Sequence, residues 1–202
     1  GEEYDFDFFY MERHSREANI RIETNINIVP KEMTTKKGAF EEGKEVPNYG
    51  GVNGEKVLDY YFEITNNYSA EDENAISLTD LTFRDESLNV SLSKDAVQLA
   101  SYGDGIARSV ADLTVTITDA DGKVVYEKTG MTDDELRSIL AAPPADQAKP
   151  GLKPGQTFRI SGIKYLLTAE QRENMCFRNQ VFTSASGIVG TATHTVVTEG
   201  SE

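Results

Sequence analysis

Apolar and polar residues alternate with a period of two along much of this 202-residue chain, and no other sequence feature constrains the fold as strongly. Between Asn19 and Val29 one face is wholly β-branched; it consists of Ile20, Ile22, Thr24, Ile26 and Ile28. A similar segment runs from Val57 to Asn66. Because successive side chains of a strand point to opposite faces of a sheet, we predict a half-buried strand in each segment.

Shorter alternating segments, separated by turn signals, continue to the end of the chain. We predict strands at 81–83, 88–92, 97–99, 113–117, 124–126, 158–167, 177–185 and 188–197. Two capping boxes, Thr132 with Glu135 and Thr168 with Gln171, predict two short helices. Strands that recur at intervals of about 8–15 residues, without a β-α-β pattern, predict an all-β fold. We expect an Ig-like antiparallel β-sandwich with one or two short helices inserted.

The remaining segments set the domain organisation. Residues 1–18 carry aromatic side chains at every second position of their first half, and we expect an N-terminal edge strand or linker there. Residues 31–55 are polar and rich in glycine, so we expect a long loop or a loosely held hairpin. We assign 19–198 to a single elaborated β-sandwich domain. The chain begins at Gly1 rather than Met, so we expect a trimmed leader or a tag remnant, and the missing targeting sequence says nothing about the compartment.

The charge of the chain narrows the classes of partner. Twenty basic residues against 34 acidic ones give a formal net charge of −14. This charge repels phosphate backbones and anionic lipid headgroups, so we expect no nucleic-acid binding. The apolar runs are far shorter than the roughly 20 residues that span a bilayer, so we expect no membrane insertion in this segment. We expect a soluble, monomeric protein.

Two parts of the chain resemble a known family. One comprises the strand 57–67, which ends in Ile64-Thr65-Asn66, and the segment 76–85; the other comprises 152–162 and the closing strand with Asn179-Gln180-Val181. Together they resemble the conserved Ig-like repeat domains of bacterial cell-surface proteins. The likeness covers roughly 55–85 and 150–198, whereas 88–150 carries a hairpin and a capped helix beyond what a plain repeat needs. The closing strand has Asn-Gln-Val where Asn-Thr-Ala is typical.

The resemblance implies an extracellular, surface-attached module without catalytic residues and without a cofactor. Our leading hypothesis is a non-catalytic structural or adhesion module, a stalk or spacer of a bacterial surface protein. The alternative is a glycan- or protein-binding module that recognises a host or neighbouring surface protein through 31–55 and the acidic loops. A third hypothesis is a hydrolase with a shallow carboxylate site.

Metal and thiol chemistry have little support in the sequence. Asp119 and Asp121 could begin a calcium loop, but the twelfth position of an EF-hand-type loop would then be Gly130, which cannot ligate. A looser calcium site, to which the acidic loop 71–74 contributes, is left open. Cys176 is the only cysteine, and we interpret it as a small, partly buried side chain rather than a nucleophile.

Catalysis by histidine or by paired carboxylates is also weakly supported. His194 alternates with apolar residues, so we expect a hydrogen-bonded imidazole on a strand face, whereas His14 is expected to be exposed. With 34 acidic residues, carboxylate pairs arise by chance in almost any fold. We therefore assign no catalytic residue and no metal ligand.

Two further possibilities concern surface recognition and covalent chemistry. Tyr61 and Tyr68 are plausible surface rings, and we name them as tentative ligand contacts. Surface Ig-like modules also sometimes join a lysine to an asparagine beside a buried acid. Asn66 and Asn179 lie near predicted strand ends, but no lysine stands on a predicted apolar strand face, so the sequence does not favour such a cross-link.

Overall fold

The computed structural model describes residues 32–46, 51–52, 57–99, 106–144, 149–174 and 176–198. These residues form two six-stranded sheets that pack face to face with their apolar faces inward. The all-β sandwich expected from the alternating pattern is confirmed. The expected N-terminal strand at 19–29, the edge strand or linker at 1–18, and His14 lie outside the described residues.

The first sheet, sheet A, is antiparallel throughout. Its strands are β1 (Met33–Glu41), β2 (Lys44–Val46), β4 (Val57–Asn66), β8 (Thr114–Thr118), β9 (Val124–Thr129) and β10 (Thr157–Leu166). They lie in the order β2-β1-β4-β10-β8-β9.

The second sheet, sheet B, covers the inner face of the first. Its strands are β3 (Gly51–Val52), β5 (Thr82–Asp85), β6 (Val90–Leu92), β7 (Val97–Leu99), β11 (Cys176–Ala185) and β12 (Ile188–Thr198). They lie in the order β3-β12-β11-β5-β6-β7, and within the described residues the short pair of β3 with β12 is the only parallel one.

The core lies between the sheets and is built from the inward phase of each strand. Phe83 on β5 stacks between Phe62 on β4 and Phe158 on β10, with ring centroids 6.0 and 5.8 Å apart. All three rings are at most 1% exposed. Each buried aromatic ring removes a large apolar area from water, so this stack stabilises the contact between the two sheets.

Two short helices interrupt the strands as expected. Helix α1 (Asp133–Ala141) begins at the capping box of Thr132 and Glu135, and α2 (Ala169–Glu173) begins at the capping box of Thr168 and Gln171. In each box the threonine hydroxyl accepts from the third helical N–H while the third side chain accepts from the threonine N–H, which satisfies donors that the helix leaves open. Both sequence predictions are confirmed.

Strands β1 and β12 run in the same direction on the two sides of the core. Thr35 of β1 shares a hydrogen bond with Thr183 of β11 at 2.6 Å, and Lys37 meets Asn179 of β11 at a common partner, Asp85. The β1 numbers rise along the sandwich while the β11 numbers fall, so these strands are antiparallel. Because β11 and β12 are also antiparallel, β1 and β12 are parallel. The described chain therefore enters β1 at one end of the sandwich and leaves β12 at the other.

The segment 31–55 holds a hairpin within its described residues, which agrees with one of the two expectations, but the hairpin is part of sheet A rather than loosely held. The segment contains β1, a nine-residue strand inside sheet A that pairs with β4 from Met33 to Phe40, together with the hairpin partner β2 and the short β3. The inward residues of β1 are Met33, Thr35, Lys37 and Ala39. Only two of these four are apolar, so the strand carries too weak an alternation to be recognised from sequence.

Candidate functional site

Three strands direct a charged or amide side chain into the core at one place. Lys37 lies on β1 of sheet A, whereas Asp85 on β5 and Asn179 on β11 belong to sheet B. Each is itself buried, and each has a buried neighbour two residues away on the same strand: Ala39 for Lys37, Phe83 for Asp85, and both Phe177 and Val181 for Asn179. Alternation alone therefore places all three between the sheets. We call Lys37, Asp85 and Asn179 the buried triad.

Both nitrogen atoms of the triad meet the same oxygen. The Lys37 Nζ donates to Asp85 Oδ2 in a short contact, and the Asn179 Nδ2 lies 3.4 Å from that oxygen. The other carboxylate oxygen, Oδ1, accepts from the Leu88 N–H at 3.0 Å, in the turn that follows β5. That turn fixes the carboxylate, so the amine of Lys37 and the amide nitrogen of Asn179 are held against the same oxygen atom.

Aromatic rings line the triad. The Lys37 Nζ lies 5.0 Å from the centroid of Tyr60 and 5.4 Å from that of Phe62, within the range of a cation–π contact. His194, the cross-strand partner of Asn179 on β12, is 2% exposed and meets Tyr60 edge-on. The position of His194 on a strand face is as predicted, and its predicted hydrogen bond stays a prediction.

Water does not reach the charged atoms of the triad. The Lys37 and Asp85 side chains are both 0% exposed. Burial lowers the pKa of Lys37 from 10.5 to about 8, although the Asp85 charge and hydrogen bond act in the opposite direction. Desolvation makes a buried ion pair a weak source of net stability, so stability alone does not account for this cluster.

In the part of the chain that the structure describes, two asparagines are buried, and they differ in their hydrogen bonding. Asn66 at the end of β4 is satisfied at both ends: its Nδ2 donates to the carbonyls of Ile76 and Leu152, and its Oδ1 accepts from the Tyr68 N–H. The Oδ1 of Asn179 finds no partner among the described residues. Asn66 is therefore a structural asparagine that ties loops together, whereas Asn179 is not explained by structure in the same way.

The triad corrects one prediction. The sequence offered no lysine on an apolar strand face, yet Lys37 lies on the inner face of β1. The sequence signal for this site would have been a charged or amide residue at an inward position of each of the three strands. Asp85, for example, follows Leu81 and Phe83 at every second position. That signal was hidden because β1 itself was not recognised.

Tyr61, predicted to be a surface ring, is not at the surface. It lies on the outer face of sheet A but is only 1% exposed, since Phe40, Lys36 and Arg159 cover its ring. Its hydroxyl donates to Glu45 at 2.7 Å. The sequence could not indicate this cover, which comes from residues on other strands.

Tyr68 is partly buried and packs against the core. Its backbone N–H is held by Asn66, which places the residue immediately after β4. The two tyrosines named as ligand contacts therefore do not form an exposed aromatic platform.

The acidic loops are organised by their own backbone. Asp119 accepts from the N–H groups of Asp121 and Lys123, and Asp72 accepts from that of Asn74. Within the described ranges, no three His, Cys, Asp or Glu side chains come together as a metal site would require. The looser calcium site between these loops is therefore unsupported. Cys176 is exposed rather than partly buried, so that prediction is wrong.

A surface groove of about 390 Å³ lies between β9 and α1 and carries two acids, Asp134 and Glu135. Lys128 pairs with Glu135 at 2.7 Å and, together with the Thr132 N–H, lowers the pKa of Glu135 to about 2. A general acid needs a raised pKa, so Glu135 is not suited to be the acid of a glycosidase-type pair. Among the described residues, no helix is long and apolar enough to cross a membrane.

Comparison with known proteins adds little. No family model matches the chain, and no curated protein matches it. Among solved structures, the chain aligns with the CooA pilin subunit from enterotoxigenic Escherichia coli over 82% of its own length and 99% of the pilin, with 11% identity and a TM-score of 0.19. A TM-score this low supports no conclusion about fold or function.

Proposed function

We propose that this chain is a non-catalytic structural module of a bacterial surface protein, a stalk or spacer that carries tension from one end of the sandwich to the other. The observation that supports it is the parallel course of β1 and β12 in opposite sheets. A force that separates the two ends of the described chain pulls β1 and β12 along their own axes in opposite directions.

Such a force loads many contacts at once. Strand β1 pairs with β4 over eight positions, and β12 pairs with β11 over ten. Pulling along a strand shears all of its ladder hydrogen bonds together, whereas pulling across it opens them one at a time. The Thr35–Thr183 hydrogen bond and the buried triad join β1 to sheet B across the core, so they resist the same displacement.

An extracellular location is part of this proposal. It is supported by the sequence resemblance to surface repeats and by the strongly acidic composition, which favours solubility. The burial of Tyr61 removes one of the two rings on which the glycan-binding alternative rested. A glycan- or protein-binding module therefore has no specific structural observation in its favour.

Single-molecule pulling tests the proposal. One molecule is held by its two chain ends. A second is held by its C-terminal end and through the exposed thiol of Cys176, which lies opposite Val197 at the open end of the β11–β12 hairpin, so that the force acts across these strands and peels β12 from β11. At the same loading rate we expect a several-fold higher unfolding force in the end-to-end geometry. An end-to-end force equal to or below the peeling force contradicts the proposal.

A further inference from the structure

We propose that Lys37 and Asn179 become joined by an amide bond between Lys37 Nζ and Asn179 Cγ, formed inside the folded domain with Asp85 as the proton carrier. The inference deepens the proposed function and rests on it only for its purpose, because the bond would lie across the path of the tension. The chemistry itself depends on the triad alone.

The first argument is the convergence of three groups that such a reaction requires. The amine is the nucleophile, the carboxamide is the electrophile, and one oxygen of Asp85 contacts both nitrogen atoms. The strands hold these groups in place before any bond forms. Holding reactants in a productive arrangement replaces a bimolecular encounter by an intramolecular one, which is worth an effective concentration of about 10⁵ M or more.

The second argument is the state of the amine. A primary amine attacks a carbonyl only when it is neutral. The aromatic and aliphatic surroundings of Lys37 disfavour its charged form, and they bring its pKa to about 8. Water is excluded from the side chains of Lys37 and Asp85, so hydrolysis does not compete with attack by the amine.

The third argument is the incomplete hydrogen bonding of the Asn179 side chain. Its amide oxygen lacks a partner among the described residues, whereas Asn66 uses both ends of its amide. A buried amide that is only half satisfied destabilises the fold. A carboxamide at this position is accounted for if its carbonyl carbon is the atom that reacts.

The reaction balances without any added reagent. Asp85 takes a proton from the Lys37 ammonium, and the neutral Nζ attacks Cγ of Asn179 to give a tetrahedral intermediate. Asp85, now protonated, returns the proton to the departing Nδ2, the bond between Cγ and Nδ2 breaks, and ammonia leaves. Asp85 ends as a carboxylate, the second Nζ proton leaves with the ammonia as ammonium, and the new amide N–H remains beside Asp85.

Intact-mass spectrometry of the folded full-length protein is the direct test. We expect the wild-type chain to be lighter than its sequence mass by one ammonia. Proteolytic digestion is expected to release a branched peptide that contains Lys37 and Asn179, located by fragmentation. A folded wild-type chain with its full sequence mass overturns the proposal.

Three substitutions assign the roles. Lys37→Arg keeps a cation but removes the nucleophile, Asn179→Ala removes the electrophile, and Asp85→Asn keeps the shape but removes the proton carrier. Each is expected to restore the full mass, and circular dichroism checks that the variant is folded. Lys36→Arg is the matched control, because Lys36 is the exposed neighbour on the same strand, and it should leave the loss of ammonia intact.

One other source of the same mass change is present in the sequence. Asn53 precedes Gly54, and cyclisation of an Asn-Gly pair to a succinimide also releases ammonia. Hydroxylamine opens a succinimide but leaves an amide bond unchanged. A species with the mass loss that hydroxylamine converts to a hydroxamate or cleaves at Asn53-Gly54, or a mass loss that persists in Lys37→Arg, overturns the proposal.

The outcomes for this bond and for the proposed function are separable. A full-mass chain that still resists end-to-end pulling leaves the mechanical function standing without the bond. A cross-linked chain that resists end-to-end pulling no better than peeling leaves the bond standing and removes the mechanical function.

Discussion

While its amine is free, Lys37 makes the stability of the sandwich depend on pH. Its folded pKa of about 8 lies below the unfolded value of 10.5, because burial disfavours the ammonium. Between these two pH values the unfolded chain binds more protons than the folded chain. The free energy of unfolding contributed by Lys37 therefore rises with pH across this window.

This pH dependence is measurable in Asn179→Ala, in which the amine stays free. Denaturant unfolding at several pH values between about 8 and 10.5 should show stability increasing with pH. In the double variant Lys37→Met/Asn179→Ala the increase should be smaller, since the titrating group is gone. Identical pH slopes in the two variants would contradict the assigned burial of the amine.

Gly38 is required by the ring that lies across it. A Cβ at this position would overlap the Tyr61 ring, at the tip of its side chain. Gly38→Ala should therefore displace a buried ring and destabilise the fold by about 1–3 kcal/mol. We expect most of this loss to disappear when Gly38→Ala is made in a Tyr61→Ala background, where the ring is absent. Additive effects in this double-mutant cycle, measured by denaturant unfolding, would show that the two residues do not contact each other.

At the scale of elements, β1 explains what the sequence could and could not reveal. Five strands could be predicted from their alternation because their inward residues are mostly apolar; they are β4, β8, β10, β11 and β12. In β1 the inward phase holds Lys37, whose charge is compensated by Asp85 of sheet B, and the next residue is Gly38, which accommodates Tyr61 of β4. Both features depend on residues distant in the chain, so local patterns predicted only a long loop or a loosely held hairpin.

The candidate site could not be predicted from the sequence for the same reason. The sequence named Asn179 as a possible cross-linking residue but supplied no lysine, because a lysine is recognised as buried only after its strand and its carboxylate partner are known. The capping boxes and the hairpin between β8 and β9 involve neighbours in sequence, and these were predicted correctly.

Strand β10 contains an irregularity in its pairing with β4, and Gly162 makes it possible. Its register with β4 shifts between Ile160 and Ile163, so both isoleucines face the core and are 0% exposed. Gly162 lies in the shift with φ +90°, and a Cβ there would overlap the carbonyl oxygen of Asp112. This arrangement is a β-bulge that changes the phase of the strand.

The bulge predicts a position-specific loss of stability. Gly162→Ala combines a disfavoured φ with a backbone overlap and should cost about 2–4 kcal/mol in the free energy of unfolding. Ser161→Ala, on the adjacent half-buried residue, is the matched control and should change stability by less than about 0.5 kcal/mol. Thermal or denaturant unfolding of the two variants makes the comparison. A tolerated Gly162→Ala would mean that the bulge does not have this backbone conformation.

On the scale of the whole molecule, the class of fold follows from the repeated two-residue period, whereas the direction in which the chain crosses the sandwich does not. That direction depends on the order of the strands in the two sheets, which brings β1 and β12 to run in parallel. The sequence carries no local signal for this order. The mechanical function proposed for this chain is therefore a property of topology. It distinguishes this module from other antiparallel sandwiches of the same composition.

The positions of Lys37 and Asn179 have a consequence for proteolytic damage. Most of the chain lies between these two residues, including the exposed turn from Ser69 to Asn74. A protease that cuts this turn divides the backbone into two pieces, but with the amide bond in place each piece carries one end of that bond. On a denaturing gel the nicked protein would still run as one species, and the two pieces of a cut module would stay connected.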